Sequence, residues 1–98
     1  MADYTITIDS NGSPTPNPLP NCRAGDKIKW TNSSTTDTAT GFVLPTCVSP
    51  QSSPGSIGPG ATTREFAINN SPAGSYEYTY YWPGREKGPR NGTIDVGS

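Results

Sequence analysis

Residues 73–96 read AGSYEYTYYWPGREKGPRNGTIDV, and this stretch decides the fold class. Within it, the tyrosines of residues 76–80 (YEYTY) occupy every second position, which is the period of a β-strand with one buried face. Pro83-Gly84 ends this strand, because proline has no amide donor and glycine favours turns. Residues 92–96 (GTIDV) alternate again. The stretch therefore predicts two strands joined by a polar loop at one end of the fold.

Short runs of the same kind recur toward the N-terminus, separated by clusters of Asn, Gly, Pro and Ser. Runs of this length with turn signals between them predict strands rather than helices. In KIKW, residues 27–30, the hydrophobic side chains face inward, and Trp30 is predicted to lie at the centre of the core. The other runs are residues 4–9, 42–44 and 62–68. About seven short strands predict an all-β antiparallel sandwich or barrel.

The composition fits one small domain spanning residues 1–98. Hydrophobic residues make up 30% of the chain, and there are 11 glycines and 11 prolines. Net charge is −1, so no basic field favours nucleic acid or an anionic membrane as a partner. The N-terminus lacks a signal-peptide pattern. A cytoplasmic location is expected for the chain as given, and a mature secreted or periplasmic domain remains open.

The sequence contains few candidate catalytic residues. There is no histidine, and the carboxylates are scattered along the chain. No nucleophile elbow or phosphate-binding loop is present. Because catalytic groups act as a geometric set, we expect a protein that is not an enzyme and that carries no cofactor.

Several segments resemble the cupredoxins, the plastocyanin, amicyanin and pseudoazurin group. Residues 24–32 (AGDKIKWTN) are similar to the family's Gly-Asp-x-Val-x-Trp/Phe-x-Asn strand. Residues 57–60 (IGPG) resemble the turn before a later strand. The most specific match is residues 73–96, which resemble a Pro-Gly-x-Tyr-x-Tyr-x-Cys, Pro-Gly-His, Gly-Met, Gly-x-Ile-x-Val ending. The resemblance implies a Greek-key β-sandwich and covers most of the chain from Pro18 onward.

The resemblance also locates the positions at which the family binds copper. The first histidine falls at residues 38–40, the cysteine at Tyr80, the second histidine at Arg85, and the methionine at Pro89 or Arg90. Blue-copper sites need two imidazoles and a thiolate. A phenol and a guanidinium do not replace them, since arginine stays protonated. The resemblance therefore implies a cupredoxin-like domain without a metal site.

Residues 81–91, here called the tip segment, are the predicted binding surface. Exposed aromatic groups beside cations are typical of interaction hot spots. The first hypothesis is an interaction module that engages a protein partner through the tip segment. The second is a carbohydrate-binding module that uses Tyr81 or Trp82 as a stacking platform. The third is a structural domain of a larger assembly, with these aromatics in the core. The candidate binding residues are Tyr81, Trp82, Arg85, Lys87 and Arg90.

Two cysteines, Cys22 and Cys47, allow two interpretations. In the first, Cys22 is only a small buried apolar residue and Cys47 lies in a loop. Alternatively, a disulfide between them would tie the irregular segment 46–60 to the second strand and contribute about 3 kcal/mol. Sequence spacing does not decide between these interpretations.

Overall fold

The computed structural model describes residues 2–84 and 87–97, and these residues form β-strands joined by turns and loops. No helix occurs in them, and so none that is long and apolar enough to cross a bilayer. The all-β prediction is confirmed. The strands are β1 (Asp3–Ile8), β2 (Pro14–Thr15), β3 (Leu19–Cys22), β4 (Lys27–Asn32), β5 (Thr40–Val43), β6 (Val48–Ser49), β7 (Phe66–Ile68), β8 (Gly74–Trp82) and β9 (Gly88–Val96).

The strands form two open sheets rather than a barrel. The first sheet has the order β2-β1-β4-β7-β6, and the second has the order β3-β9-β8-β5. Both sheets are mixed, because β1 runs parallel to β4 and β3 runs parallel to β9. The prediction of purely antiparallel pairing was therefore wrong for these two pairs. Parallel neighbours are distant in sequence, so local patterns do not reveal them.

The two sheets pack against each other through one aromatic core. Trp30 of β4 is fully buried and makes edge-to-face contacts with Phe42 of β5 at 5.1 Å, Phe66 of β7 at 5.8 Å and Tyr78 of β8 at 5.3 Å between ring centroids. Edge-to-face geometry is favourable because the positive ring edge meets the negative ring face. The prediction that Trp30 occupies the centre of the core is confirmed, and the arrangement is that of a β-sandwich.

Several strand boundaries differ from the predicted ones. The run predicted over 62–68 forms a strand only from Phe66 to Ile68. At the other end of the molecule, β8 continues through Trp82 and β9 begins at Gly88. Cross-strand pairing thus extends to Trp82 and Gly88. The described part of the tip segment is therefore mostly paired strand.

Cys22 and Cys47 are both buried free thiols, which corrects the alternative that they form a disulfide. Cys22 lies at the end of β3 with its side chain in the core. The segment around Cys47 is held by Asn69 instead, whose backbone N–H donates to the Cys47 carbonyl at 2.8 Å. The Asn69 side chain also donates to the Thr46 carbonyl at 2.9 Å. Hydrogen bonds, rather than a disulfide between Cys22 and Cys47, therefore hold this loop.

The buried thiols predict a loss of stability in base. Burial raises the pKa of both Cys22 and Cys47 to about 11. Below about pH 8 the thiols are protonated in the folded and the unfolded chain alike, because an exposed cysteine has a pKa of about 8.5. As the pH rises from about 8 toward about 11, ionisation occurs mainly in the unfolded chain, so the free energy of unfolding falls. Urea titrations across this range should show the decrease, and a Cys22→Ala/Cys47→Ala variant should show a weaker pH dependence. An unchanged slope in that variant would contradict the assignment.

The environment of the Tyr78 hydroxyl predicts that the fold tolerates Tyr78→Phe without loss of stability. Burial raises the pKa of Tyr78 to about 12, and the neighbouring Trp30 indole opposes this rise. Neither the Tyr78 hydroxyl nor the Trp30 indole nitrogen has a partner in hydrogen-bond geometry among the described residues. Tyr78→Phe therefore removes an unpaired buried donor, and we expect the free energy of unfolding to stay level or rise by up to about 1 kcal/mol.

Tyr80→Phe is the matched control for that substitution. The Tyr80 hydroxyl donates to the Gly12 carbonyl at 2.6 Å in the protein interior. Its removal should lower the free energy of unfolding by about 1–2 kcal/mol. Chemical denaturation of both variants measures the difference. Equal losses would show that the Tyr78 hydroxyl is hydrogen-bonded in solution.

Candidate interaction surface at the end of β8 and β9

The aromatic side chains at the end of β8 lie on opposite faces of the second sheet. Tyr78, Tyr80 and Trp82 point into the core, whereas Tyr81 points outward and is 43% exposed. The alternation predicted for 76–80 thus continues unbroken through residue 82. Because Pro83 follows the last paired residue, it does not disturb the strand.

Trp82 is fully buried, and this corrects its assignment as a stacking platform. A Cβ atom built on Gly12 would lie 2.4 Å from Cγ of Trp82, so the turn after β1 packs directly on the indole. Gly84 packs close to the indole nitrogen of Trp82. A Cβ atom built on Gly84 would lie within 3 Å of both that nitrogen and the Asp37 carboxylate. Trp82 is therefore the central side chain of this end of the core and is closed to a ligand.

Tyr80 and Arg90 join the end of the second sheet to the turn between β1 and β2. The Tyr80 ring stacks on Phe42 at a centroid distance of 5.4 Å, and its hydroxyl is bonded to Gly12. Burial raises the pKa of Tyr80, and the nearby Arg90 charge opposes that rise. The Arg90 guanidinium donates to the Asn11 carbonyl at 3.3 Å. Arg90 thus connects β9 to the turn between β1 and β2.

The two remaining cations of the predicted site differ in what the structure describes. Lys87 is exposed. Arg85 lies outside the described residues. Of the predicted site, Tyr81, Lys87 and Arg90 are therefore placed at the surface or its border, and Trp82 is placed beneath it.

Asn32 and Ser34 organise the loop beside Trp82, and sequence analysis did not single out either side chain. The buried Asn32 amide donates to the carbonyl of Asp37 at 2.7 Å and of Ile57 at 2.9 Å, and its oxygen accepts from the N–H of Ser34 at 2.9 Å. The Ser34 hydroxyl accepts from the N–H of Asp37 at 3.0 Å. A buried amide with all three bonds made fixes the loop that contains Asp37. The one available signal was the position of Asn32 at the end of an alternating strand.

An exposed hydrophobic surface lies on the outer face of the second sheet, next to the tip segment. Tyr81 pairs across the strands with Pro89, and Val43 on the neighbouring strand β5 is 59% exposed. We call Val43, Tyr81 and Pro89 the Tyr81 patch. Val43 and Tyr81 are the large hydrophobic residues recorded as exposed among the described residues. Such a concentration on one face is typical of an interaction surface.

The open edge of β5 beside this patch is occupied by the chain itself. Ala39 and Ile57 exchange two backbone hydrogen bonds of 2.8 and 3.0 Å. Phe42 donates its N–H to the Gly55 carbonyl at 3.2 Å, and the Ser53 hydroxyl donates to the Phe42 carbonyl. An added strand would have to displace this segment. The exposed face of β5, rather than its edge, is therefore the accessible surface.

The part of the chain that the structure describes contains no pocket and no group of three or more His, Cys, Asp or Glu residues placed to hold a metal ion. No protein-family model matches the chain, and no curated protein matches it. The function is therefore inferred from the geometry of the surface itself.

Proposed function

We propose that this chain is a metal-free cupredoxin-like module that binds a protein partner through the Tyr81 patch and the adjoining tip segment. The observation that carries the proposal is the outward position of Tyr81, paired with Pro89 and on the same face as the exposed Val43. A partly exposed tyrosine next to apolar side chains is typical of an interface hot spot.

Two features support the cupredoxin-like part of the proposal. The chain crosses between the sheets five times, from β2 to β3, β3 to β4, β4 to β5, β5 to β6 and β7 to β8, as expected for Greek-key connections. In addition, Tyr80, at the position where the resemblance has the copper thiolate, has its ring stacked on Phe42 and its hydroxyl bonded to Gly12. A side chain engaged in this way fills interior space at the position where the resemblance has a copper ligand.

The Tyr81 patch favours a protein over a small ligand because its contacts are spread over three strands. Tyr81 and Pro89 are cross-strand neighbours, and Val43 pairs with Thr79 one row further from the tip. A flat apolar surface of this kind suits a partner with its own apolar face. A carbohydrate would use the Tyr81 ring alone as its stacking platform.

Site-specific photocrosslinking tests the proposal. A benzoylphenylalanine residue in place of Tyr81 should yield a defined protein adduct in an extract of the source cells. The same residue in place of Thr5, exposed on the outer face of the first sheet, is the matched control and should not. No adduct from position 81, together with amide NMR shifts at residues 79–82 on addition of a glycan set, would contradict the protein-partner proposal and favour carbohydrate binding.

A further inference from the structure

The outer face of the second sheet has an ordered distribution of charge and hydrophobic area. The even-numbered residues of β9 from Gly92 to Val96 are buried, so its odd-numbered residues lie on the outer face. Along the outer face, the Tyr81 patch lies near the tip, and the carboxylates of Glu77 and Asp95 lie toward the opposite end. Lys87 is exposed and immediately precedes β9. We assign it to the outer face by extending the alternation of β9 one residue beyond the strand.

Cross-strand pairing arranges these residues in rows at right angles to the strands. Counted from the tip, Tyr81 pairs with Pro89, Thr79 with Asn91, Glu77 with Thr93, and Ser75 with Asp95; Val43 of β5 pairs with Thr79. Outward-facing rows are about 7 Å apart, because two residues separate them along each strand. The order along the face is therefore a cation, a hydrophobic centre and two carboxylates.

We propose that the partner is a second copy of this chain, bound face to face through the outer surface of this sheet. The twofold axis crosses the strands at the row that contains Val43, Thr79 and Asn91. This inference rests on the proposed function, because Tyr81 anchors the same surface. It deepens that function by specifying the partner.

A face of this polarity is complementary to itself when one copy is reversed. Rotation about the proposed axis places the Tyr81 hydroxyl opposite Glu77 of the second copy and Lys87 opposite Asp95 of the second copy. Val43 then meets its own counterpart at the axis, as expected for an isologous interface. The Lys87–Asp95 contact occurs twice by symmetry, and Glu77 faces a neutral hydroxyl donor; the alternative parallel arrangement would instead bring like charges together.

The carboxylates of this face are already held in position by their neighbours. The Asn91 side chain donates to Glu77 at 3.0 Å, and the Ser75 hydroxyl donates to Asp95 at 2.7 Å. Fixed acceptors lose less conformational entropy on association. The proposed contacts involve three of the four strands of this sheet. We therefore expect weak association, with a dissociation constant in the micromolar range or above.

Sedimentation equilibrium on the purified chain tests the proposal. Wild-type protein should associate reversibly with concentration. Val43→Asp would place two carboxylates at the axis and should raise the dissociation constant at least ~10-fold. Thr5→Asp on the first sheet is the control and should leave it unchanged. A wild-type chain that remains monomeric at about 1 mM would overturn the proposal.

Charge exchange tests the orientation of the two copies. Lys87→Glu places like charges together twice in a homodimer, and so does Asp95→Lys; each variant alone should dissociate more readily. An equimolar mixture restores both opposite-charge contacts, and it should associate about as tightly as wild type. A mixture no tighter than the single variants would overturn the reversed arrangement.

Photocrosslinking from position 81 distinguishes self-association from the broader proposal that the chain binds a protein partner. With purified chain alone, an adduct of twice the chain mass supports self-association. An adduct that forms only with a different protein from the extract supports the partner-binding function and overturns the second copy as that partner. No adduct in either setting overturns both.

Discussion

Replacing Trp82 with alanine is expected to lower the free energy of unfolding by about 3–5 kcal/mol, whereas replacing the adjacent Tyr81 should change it by no more than about 1 kcal/mol. The difference arises because successive strand residues face opposite sides of the sheet. Trp82 is fully buried against Gly12, and Tyr81 is 43% exposed. Urea denaturation of the two variants measures both effects.

For association, we expect substitution of Tyr81 to have a larger effect than substitution of Trp82, which reverses their effects on stability. Tyr81→Ala should abolish association through the outer face while the fold persists. A Trp82→Phe variant keeps an aromatic ring in the core and should retain association. Because the indole nitrogen of Trp82 has no hydrogen-bond partner among the described residues, phenylalanine loses volume but no such bond. Retained binding by Tyr81→Ala, or lost binding by a folded Trp82→Phe variant, would contradict the division of roles.

Strand periodicity predicted the parts of the fold that depend on local sequence. The alternation in 76–80 assigned Tyr78 and Tyr80 to the inner face, and the pattern in 27–30 placed Trp30 in the core; the structure agrees with both. It did not predict the parallel pairing of β1 with β4 or of β3 with β9, because such pairings depend on contacts between distant segments.

The candidate site was less predictable for an identifiable physical reason. Pro83 suggested that β8 ends early and that Trp82 enters an exposed loop, yet pairing of Trp82 with Gly88 keeps the strand regular. Val43 belongs to a short hydrophobic run whose sequence does not indicate which residue faces solvent. Its exposure follows from its pairing with Thr79, which is known only from the sheet register. The exposure of Val43 is thus set by the tertiary structure and is not predictable from the local sequence.

The turn between β1 and β2 should tolerate an added methyl group poorly. The Asp9 carboxylate accepts backbone N–H groups from Asn11 at 2.8 Å and Ser13 at 3.0 Å, which fixes the turn. Gly12 within it has a φ of +83°, in the region that disfavours a side chain. Its Cα also faces the Trp82 ring at a distance that excludes a Cβ.

Gly12→Ala should therefore lower the free energy of unfolding by about 3 kcal/mol or more, combining about 1–2 kcal/mol of backbone strain with about 1–3 kcal/mol of overpacking. Gly55→Ala is the matched control, since Gly55 has a φ of +74° but nothing within 4 Å of the added Cβ. It should show the backbone cost alone. If the overlap with Trp82 supplies the remainder, combining Gly12→Ala with Trp82→Leu should cost less than the sum of the two single changes. Strict additivity in this double-mutant cycle, or equal losses at Gly12 and Gly55, would mean that the turn moves away from the indole and that the packing of this end of the core is adjustable.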